Sequence, residues 1–304
     1  MPEPSATPPI VAILSPGSMG AGVALRLLRR GVTVLTSLDG RSARSVSRAH
    51  AMGLRDVPLT ALTQADLLLS IVPPGVARAV GERVAEAGVF SHGGPLYVDC
   101  NAVAPETVRE IGAIITGAGG RFVDAGIVGG PPQPDGSLSP VFYASGPNAA
   151  DLTILNSYGI EVRVMDAPIG SASALKMCFA GISKGLTAVI AQVILQASAS
   201  QVTPALRAQL TASLGTTLEW AGRQAPLLPQ KSYRWVAEMQ ELAHFLRDIP
   251  GAQELFNGAA TFYEWLAREK DNAAGPHPVL QSFFSALGDG ASPSTARART
   301  PSQE

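Results

Sequence analysis

Three groups of residues in this sequence have the types and spacing to do chemistry. The first is Ser15-Pro16-Gly17-Ser18-Met19-Gly20, which follows the apolar run at 11–14 and opens a helical pattern. Gly17 lets the backbone approach a pyrophosphate, and Gly20 lets the helix pack closely on its strand. Backbone N–H groups around Ser18 and Met19 then point at the phosphates. Ser15 stands where a G-x-G-x-x-G fingerprint has its first glycine, so a plain strand-to-helix turn is the rival reading. The second group is Arg41, Ser42 and Arg44, which follow the second strand close to Ser37 and Asp39. Guanidiniums there accommodate a 2′-phosphate, whereas an acidic residue takes a ribose diol. The balance favours NADP over NAD, against the plain reading of a basic start to a surface helix. The third is Lys176, set among Leu175, Met177, Cys178 and Phe179. An apolar wall disfavours the ammonium and moves the group toward proton transfer at neutral pH. On the residues alone, a lysine snorkelling from a solvated helix face is the stronger reading.

These residues need elements to position them. Residues 11–14, 32–35, 67–72, 96–100, 121–125, 141–144 and 162–165 read as strands, apolar throughout, with helices between them. Met19, Val23, Leu27 and Leu28 mark one helix face that stops at Gly31. Pro105 suits the first position of a helix bearing Val108, Ile111 and Ile115. Alternating apolar strands and helices predict a doubly wound parallel sheet. Ligands of such sheets bind at the carboxyl ends of the strands. The pattern puts Ser15 to Gly20, Val72 and Pro73, Asn101 and Gly126 to Gly130 there. After Gly170 the strand signals stop. One long helix is expected over 171–198, then helices at 204–224, 232–247 and 253–268. The boundaries that follow are 8–168 for a nucleotide-binding domain, 169–287 for an all-α domain and 288–304 for a disordered tail.

The chain has 304 residues, a formal net charge of −1, 46% hydrophobic and 15% charged residues. That length suits two domains. The near-neutral charge leaves no electrostatic footprint for nucleic acid or an anionic membrane. No uninterrupted apolar run of about 18 residues predicts a membrane span, and the start lacks the pattern of a secretory signal. A cytoplasmic location is the expectation. Cys100 and Cys178 read as small buried hydrophobes rather than a bridge. His50, His92, His244 and His277 are scattered without ligand spacing, so no metal site is expected.

Four stretches, in order, resemble the β-hydroxyacid dehydrogenase family of the 6-phosphogluconate dehydrogenase-like superfamily. The family's G-x-G-x-M-G is similar to Ser15 to Gly20, methionine included. Its D-x-S-x-x-x-P is similar to Asp99 to Pro105, with Asn101 for the serine. Its D-A-P-V-S-G-G substrate loop is similar to Asp124 to Gly130. Its glycine followed by K-x-x-x-N is similar to Gly170, Lys176 and Ala180. The stretches at 175–177 and 234–239 resemble a branch whose C-terminal helical domain has no assigned function.

The resemblance implies a Rossmann domain joined to an all-helical domain, an NAD(P) cofactor and a small-molecule substrate. It makes Lys176 the catalytic acid/base and assigns the substrate side to Val128, Gly129, Gly130 and Ala180. Val128 and Ala180 stand where the family has a serine and an asparagine that hydrogen-bond the substrate. Losing both predicts a carbonyl or alcohol less polar than a short hydroxy acid. The family's lysine-bearing K-D-L is matched by Gln240-Glu241-Leu242, while Trp235 and Met239 read as core. An imine reductase is one alternative, which Lys176 argues against. A catalytically silent NADP-binding sensor is another. The apolar face and small residues of 171–198 predict a homodimer.

Overall fold

The apolar runs of the first half form strands because both of their faces are covered. In the computed structural model, which describes residues 7–14, 17–40, 43–91, 93–133 and 139–288, they build one eight-stranded sheet. The strands are β1 (Ile10–Leu14), β2 (Thr33–Thr36), β3 (Arg55–Asp56), β4 (Leu67–Ser70), β5 (Leu96–Asp99), β6 (Arg121–Val128), β7 (Val141–Ser145) and β8 (Glu161–Val164). Their order is β3-β2-β1-β4-β5-β6-β7-β8. Side chains alternate between two cores. Val11, Ile13, Leu67, Leu69, Val98 and Val123 enter one, and Ala12, Leu14, Leu68, Tyr97 and Phe122 enter the other. Continuous apolar strands are the mark of a sheet with helices on both sides.

The sheet is mostly rather than wholly parallel. β1 to β6 run parallel, but β7 pairs antiparallel with β6, from Asp124↔Ser145 to Val128↔Val141, and β8 runs parallel to β7. β6 also runs on to Val128, three residues past the expected end, because those residues gain β7 as a partner. The two-residue β3 carries exposed Arg55 and Asp56, so no apolar run announced it.

The helices are α1 (Ser18–Leu28), α2 (Ala43–Ala51), α3 (Ala77–Glu86), α4 (Pro105–Gly117), α5 (Ser171–Ala180), α6 (Leu186–Ala199), α7 (Thr203–Gln224), α8 (Leu228–Phe245), α9 (Ala252–Arg268) and α10 (Pro276–Gly288). Pro105 opens α4 as its spacing required. The long helix expected over 171–198 is interrupted by a π-helical turn, Gly181–Gly185. The wide turn leaves the Lys184 carbonyl as acceptor for the Tyr263 hydroxyl at 2.6 Å. By length and composition alone, Ser171–Ala199 would pass for a membrane span, a test that the central helix of a fold also passes. Cys100 is buried, but Cys178 is exposed on α5 and is not the buried hydrophobe expected.

The chain forms two compact units. One is Met1–Ser183 with Ala237–Asn257; the other is Lys184–Val236 with Gly258–Glu304. In the first, Leu242 and Phe256 close on Gly181, where a methyl group would meet them at 3.2 and 3.4 Å. In the second, Trp235 packs edge-on to Tyr263, and Lys184 Nζ lies 5.9 Å from the Trp235 ring. Of the tail expected beyond α10, residues 289–304 lie outside the described residues.

Candidate active site

At the carboxyl ends of the central strands the chain ties one strand end to the next. Asn101 follows β5 and is buried. Its Oδ1 accepts from the Val72 N–H at 2.7 Å, and its Nδ2 donates to Ser70 Oγ at 3.1 Å and Asp99 Oδ2 at 2.9 Å. Its own N–H donates to Asp99 Oδ1 at 3.0 Å. Asn101 was expected at the cofactor; here its side-chain amide is engaged with protein partners that lock the β4 and β5 ends together. Pro73, next along, is exposed. Burial raises the Asp99 carboxyl to about 6, and the bonds from Asn101 oppose that rise. Burial likewise pushes the Cys100 thiol up.

Asp124, fully buried on β6, organises the next element. Its Oδ2 accepts from Gly170 N at 2.8 Å, Ser173 N at 3.1 Å and Ser145 Oγ at 3.0 Å, and its Oδ1 accepts from Ser173 Oγ at 2.7 Å. A carboxylate thus sits at the N-terminus of α5, where orphan N–H groups and the helix dipole favour it. Gly170 precedes the helix at φ +103°, a conformation glycine tolerates. Gly126, two residues along β6, lets the strand and helix meet. A methyl there would lie 2.5 Å from the Ala172 carbonyl and 3.2 Å from Lys176 Cβ.

Lys176 stands on the second turn of this anchored helix, half-buried, and its Nζ donates to the Cys100 carbonyl at 3.2 Å. The fold therefore brings Lys176, Cys100, Asn101 and Gly126 together. Ala180, one turn on, is buried, and Val128 is half-buried at the end of β6. Gly129, at φ +121°, and Gly130 lead into Pro131 and Pro132, and Pro132 packs against Gly22 of α1. Glu241 of α8 adds a link that the sequence did not announce. Its carboxylate accepts from the Ala104 N–H at 2.8 Å, capping α4. The roles of Asp124, Gly126 and Ser173 were also unread, although a lone carboxylate inside the apolar run FVDAGIV is a signal for a buried anchor.

On the nucleotide side, Gly17 is the exposed N-cap of α1, and Ser18 beside it is exposed. Met19 is half-buried, and Gly20 is buried where α1 meets the sheet. The first turn of α1 carries no acidic residue and no capping side chain, which suits a pyrophosphate. A cleft beside it is lined by Leu59, Val80 and Val84 with Ser37, Asp39 and Arg83. The cleft is small, about 20 Å³, and lies at the end of β2, where a sheet of this type meets the adenosine ribose. These residues fit NAD(P). Ser15, Arg41, Ser42 and the Arg44 side chain lie outside the described residues.

Residues 11–150 match the NAD binding domain of 6-phosphogluconate dehydrogenase, and residues 197–266 match a domain of unknown function. An uncharacterised 28.5 kDa protein of Methanothermus fervidus is 30% identical over 166 residues, 53% of this chain and 61% of that protein. The 3-hydroxyisobutyrate dehydrogenase of Pseudomonas aeruginosa is 28% identical over 123 residues, 40% of this chain and 41% of the enzyme. The match thus spans less than two thirds of these relatives. Among solved structures, a conserved protein of unknown function with structural similarity to 3-hydroxyacid dehydrogenases has a TM-score of 0.64 and 28% identity, over 86% of this chain and 98% of its own. The 3-hydroxyisobutyrate dehydrogenase of Mycobacterium tuberculosis, solved with L-serine, shares the fold at TM-score 0.68 and 18% identity, over 92% and 99%. So does a reductive aminase of Aspergillus terreus, solved with NADPH and ethyl levulinate, at TM-score 0.51 and 18% identity, over 91% and 100%. The chain thus combines a 6-phosphogluconate dehydrogenase-type nucleotide domain over residues 11–150 with a domain of unknown function over 197–266, and it is similar to proteins that resemble 3-hydroxyacid dehydrogenases.

Proposed function

We propose that the chain is an NAD(P)-dependent dehydrogenase or reductase, with Lys176 as general acid/base and a carbonyl or alcohol substrate less polar than a short hydroxy acid. The observation that carries this reading is the Lys176 ammonium, held on the Cys100 carbonyl at the carboxyl edge of the sheet. A bound nicotinamide supplies or accepts the hydride. Lys176 Nζ gives a proton to the substrate oxygen in reduction and takes it back in oxidation. The bond to the Cys100 carbonyl fixes where Nζ stands relative to that oxygen. Val128 and Ala180 offer the substrate apolar surface, and Gly129 and Gly130 offer backbone N–H groups.

Gly17, Ser18, Met19 and Gly20 would hold the pyrophosphate, and Ser37, Arg41 and Ser42 the adenosine ribose. Val72, Pro73 and Asn101 would border the nicotinamide half. NADP is the favoured cofactor. Residues 8–168 serve as the nucleotide domain and 169–287 as the substrate and dimerisation domain. The exposed side chains of Phe179, Ile182, Leu186, Val189 and Val193 recur every three or four residues and support a homodimer. Sedimentation at the mass of one chain would exclude it. The two free cysteines suit a reducing, cytoplasmic compartment.

The decisive experiment is Lys176→Met, which keeps the apolar stem and removes the proton. Turnover with NADPH across hydroxy acids, aldehydes, ketones and imines should fall by roughly 10²–10⁴-fold while NADPH affinity holds. Turnover at the unmodified rate refutes the assignment. If NADPH binds and nothing in the panel reacts even in the unmodified protein, the silent sensor replaces it.

A further inference from the structure

The second compact unit contains a cavity of about 300 Å³ formed by α6, α7 and α10. Ile194 and Phe283 are among its apolar walls, Ser198, Thr203 and Ser282 supply hydroxyls, and Arg207 supplies the charge. Among the described residues, no acidic one lines it. The Arg207 guanidinium lies over the Phe283 ring, 5.0 Å from its centroid, and its Nε is buried with no hydrogen-bond partner. Stacking on an aromatic face fixes the plane of a guanidinium but satisfies none of its in-plane donors. Arg207 as a whole is half-buried, and a guanidinium held in one plane offers the fork of N–H groups that takes a carboxylate with two parallel bonds. Thr203 is also the first residue of α7, whose first turn carries no acidic side chain, so the helix adds positive potential to the guanidinium's. The volume is at the small end for ligand sites, and most of the wall is hydrocarbon.

We propose that this cavity binds a small organic carboxylate, with Arg207 taking the carboxylate and Ile194 and Phe283 taking a short alkyl or aromatic body. Six of the residues named stand on helices outside the sheet, and the site is independent of the dehydrogenase reading. A phosphate monoester of the same size carries more charge than one guanidinium matches, so the carboxylate is the better fit.

The test is a titration of the full-length chain, labelled at the isoleucine methyl groups, with hexanoate, benzoate and hexylamine. Hexanoate or benzoate should move the Ile194 methyl resonance saturably, and hexylamine, with the same body and opposite charge, should not. Arg207→Gln should weaken the carboxylate at least tenfold, and Arg207→Lys, which keeps charge without the fork, should fall between. Absence of a saturable Ile194 shift in the unmodified protein up to ~10 mM, above the ~1 mM that ligands of this size reach, overturns the proposal. Equal responses to hexanoate and hexylamine, or an unchanged affinity in a folded Arg207→Gln, overturn it too.

Discussion

Ser173 donates its hydroxyl to Asp124 across 2.7 Å, and through that bond a buried strand carboxylate fixes the start of the helix that carries Lys176. Two backbone N–H groups and the Ser145 hydroxyl complete the carboxylate's shell. Asp124→Asn keeps the shape but replaces one acceptor oxygen by a donor facing donors. Hydrogen bonds to a charged group are worth about 1.5–3 kcal/mol each, so we expect a loss of roughly 2–4 kcal/mol in urea unfolding. In protein that remains folded, kcat should fall well beyond any change in NADPH affinity. An equal loss in both, or in neither, would show that Asp124 does not act through Lys176.

Asp99 sets a pH dependence of defined sign. Its folded-state value is about 6, above the ordinary 3.8, because burial disfavours the carboxylate. The native state holds the proton more tightly than the unfolded chain. Its contribution to stability is therefore full below about pH 4 and is lost as pH rises through about 6. Between about pH 4.5 and about pH 7.5, wild type should lose on the order of 2 kcal/mol relative to Asp99→Asn. A difference between the two proteins that does not vary with pH would remove Asp99 as the cause.

Substrate choice should follow the two positions where hydrogen-bonding side chains are missing. Val128→Ser with Ala180→Asn restores a hydroxyl and an amide. We expect kcat/KM to shift at least ~10-fold toward short hydroxy acids over less polar alcohols. Preference unmoved by the double substitution would locate substrate selection elsewhere.

Cofactor choice should turn on the residues after β2. Asp39 lines the cleft at the end of β2 and accepts from Ser37 Oγ at 3.4 Å. A carboxylate there repels a 2′-phosphate, while Arg41 and Arg44 attract it. We expect NADPH to bind about 10-fold or more tighter than NADH, the size of one charge-assisted pair. Asp39→Asn should widen that gap, and Arg41→Ala with Arg44→Ala should close it. Fluorescence titration giving equal affinities in the unmodified chain would reverse the assignment.

The sheet and most helices were legible because burial on two faces leaves an unbroken apolar run, and Pro105 and Gly31 mark element ends by their backbone limits. The reversal of β7 was not legible. A short apolar strand carries no record of its direction, which here follows from pairing with the far end of β6. The π-turn was hidden for a related reason: the Tyr263 hydroxyl that bonds its Lys184 carbonyl is distant in sequence. In the site, Lys176 was legible only through the family resemblance, because its apolar neighbours alone favour a snorkelling surface lysine, and Cys100 contributes a carbonyl that every residue has. Glu241 caps a helix more than a hundred residues before it, and spacing cannot reveal such a pair.

The antiparallel turn from β6 to β7 has an evolutionary consequence. Between parallel neighbours such as β4 and β5, the return path includes α3, so a change in its length must preserve a whole helix. Between β6 and β7 the partners are already side by side, from Asp124↔Ser145 to Val128↔Val141. The connection over 129–140 can therefore gain or lose residues while both strands keep their register. A change of length there, next to Val128, leaves the pairing of the sheet intact.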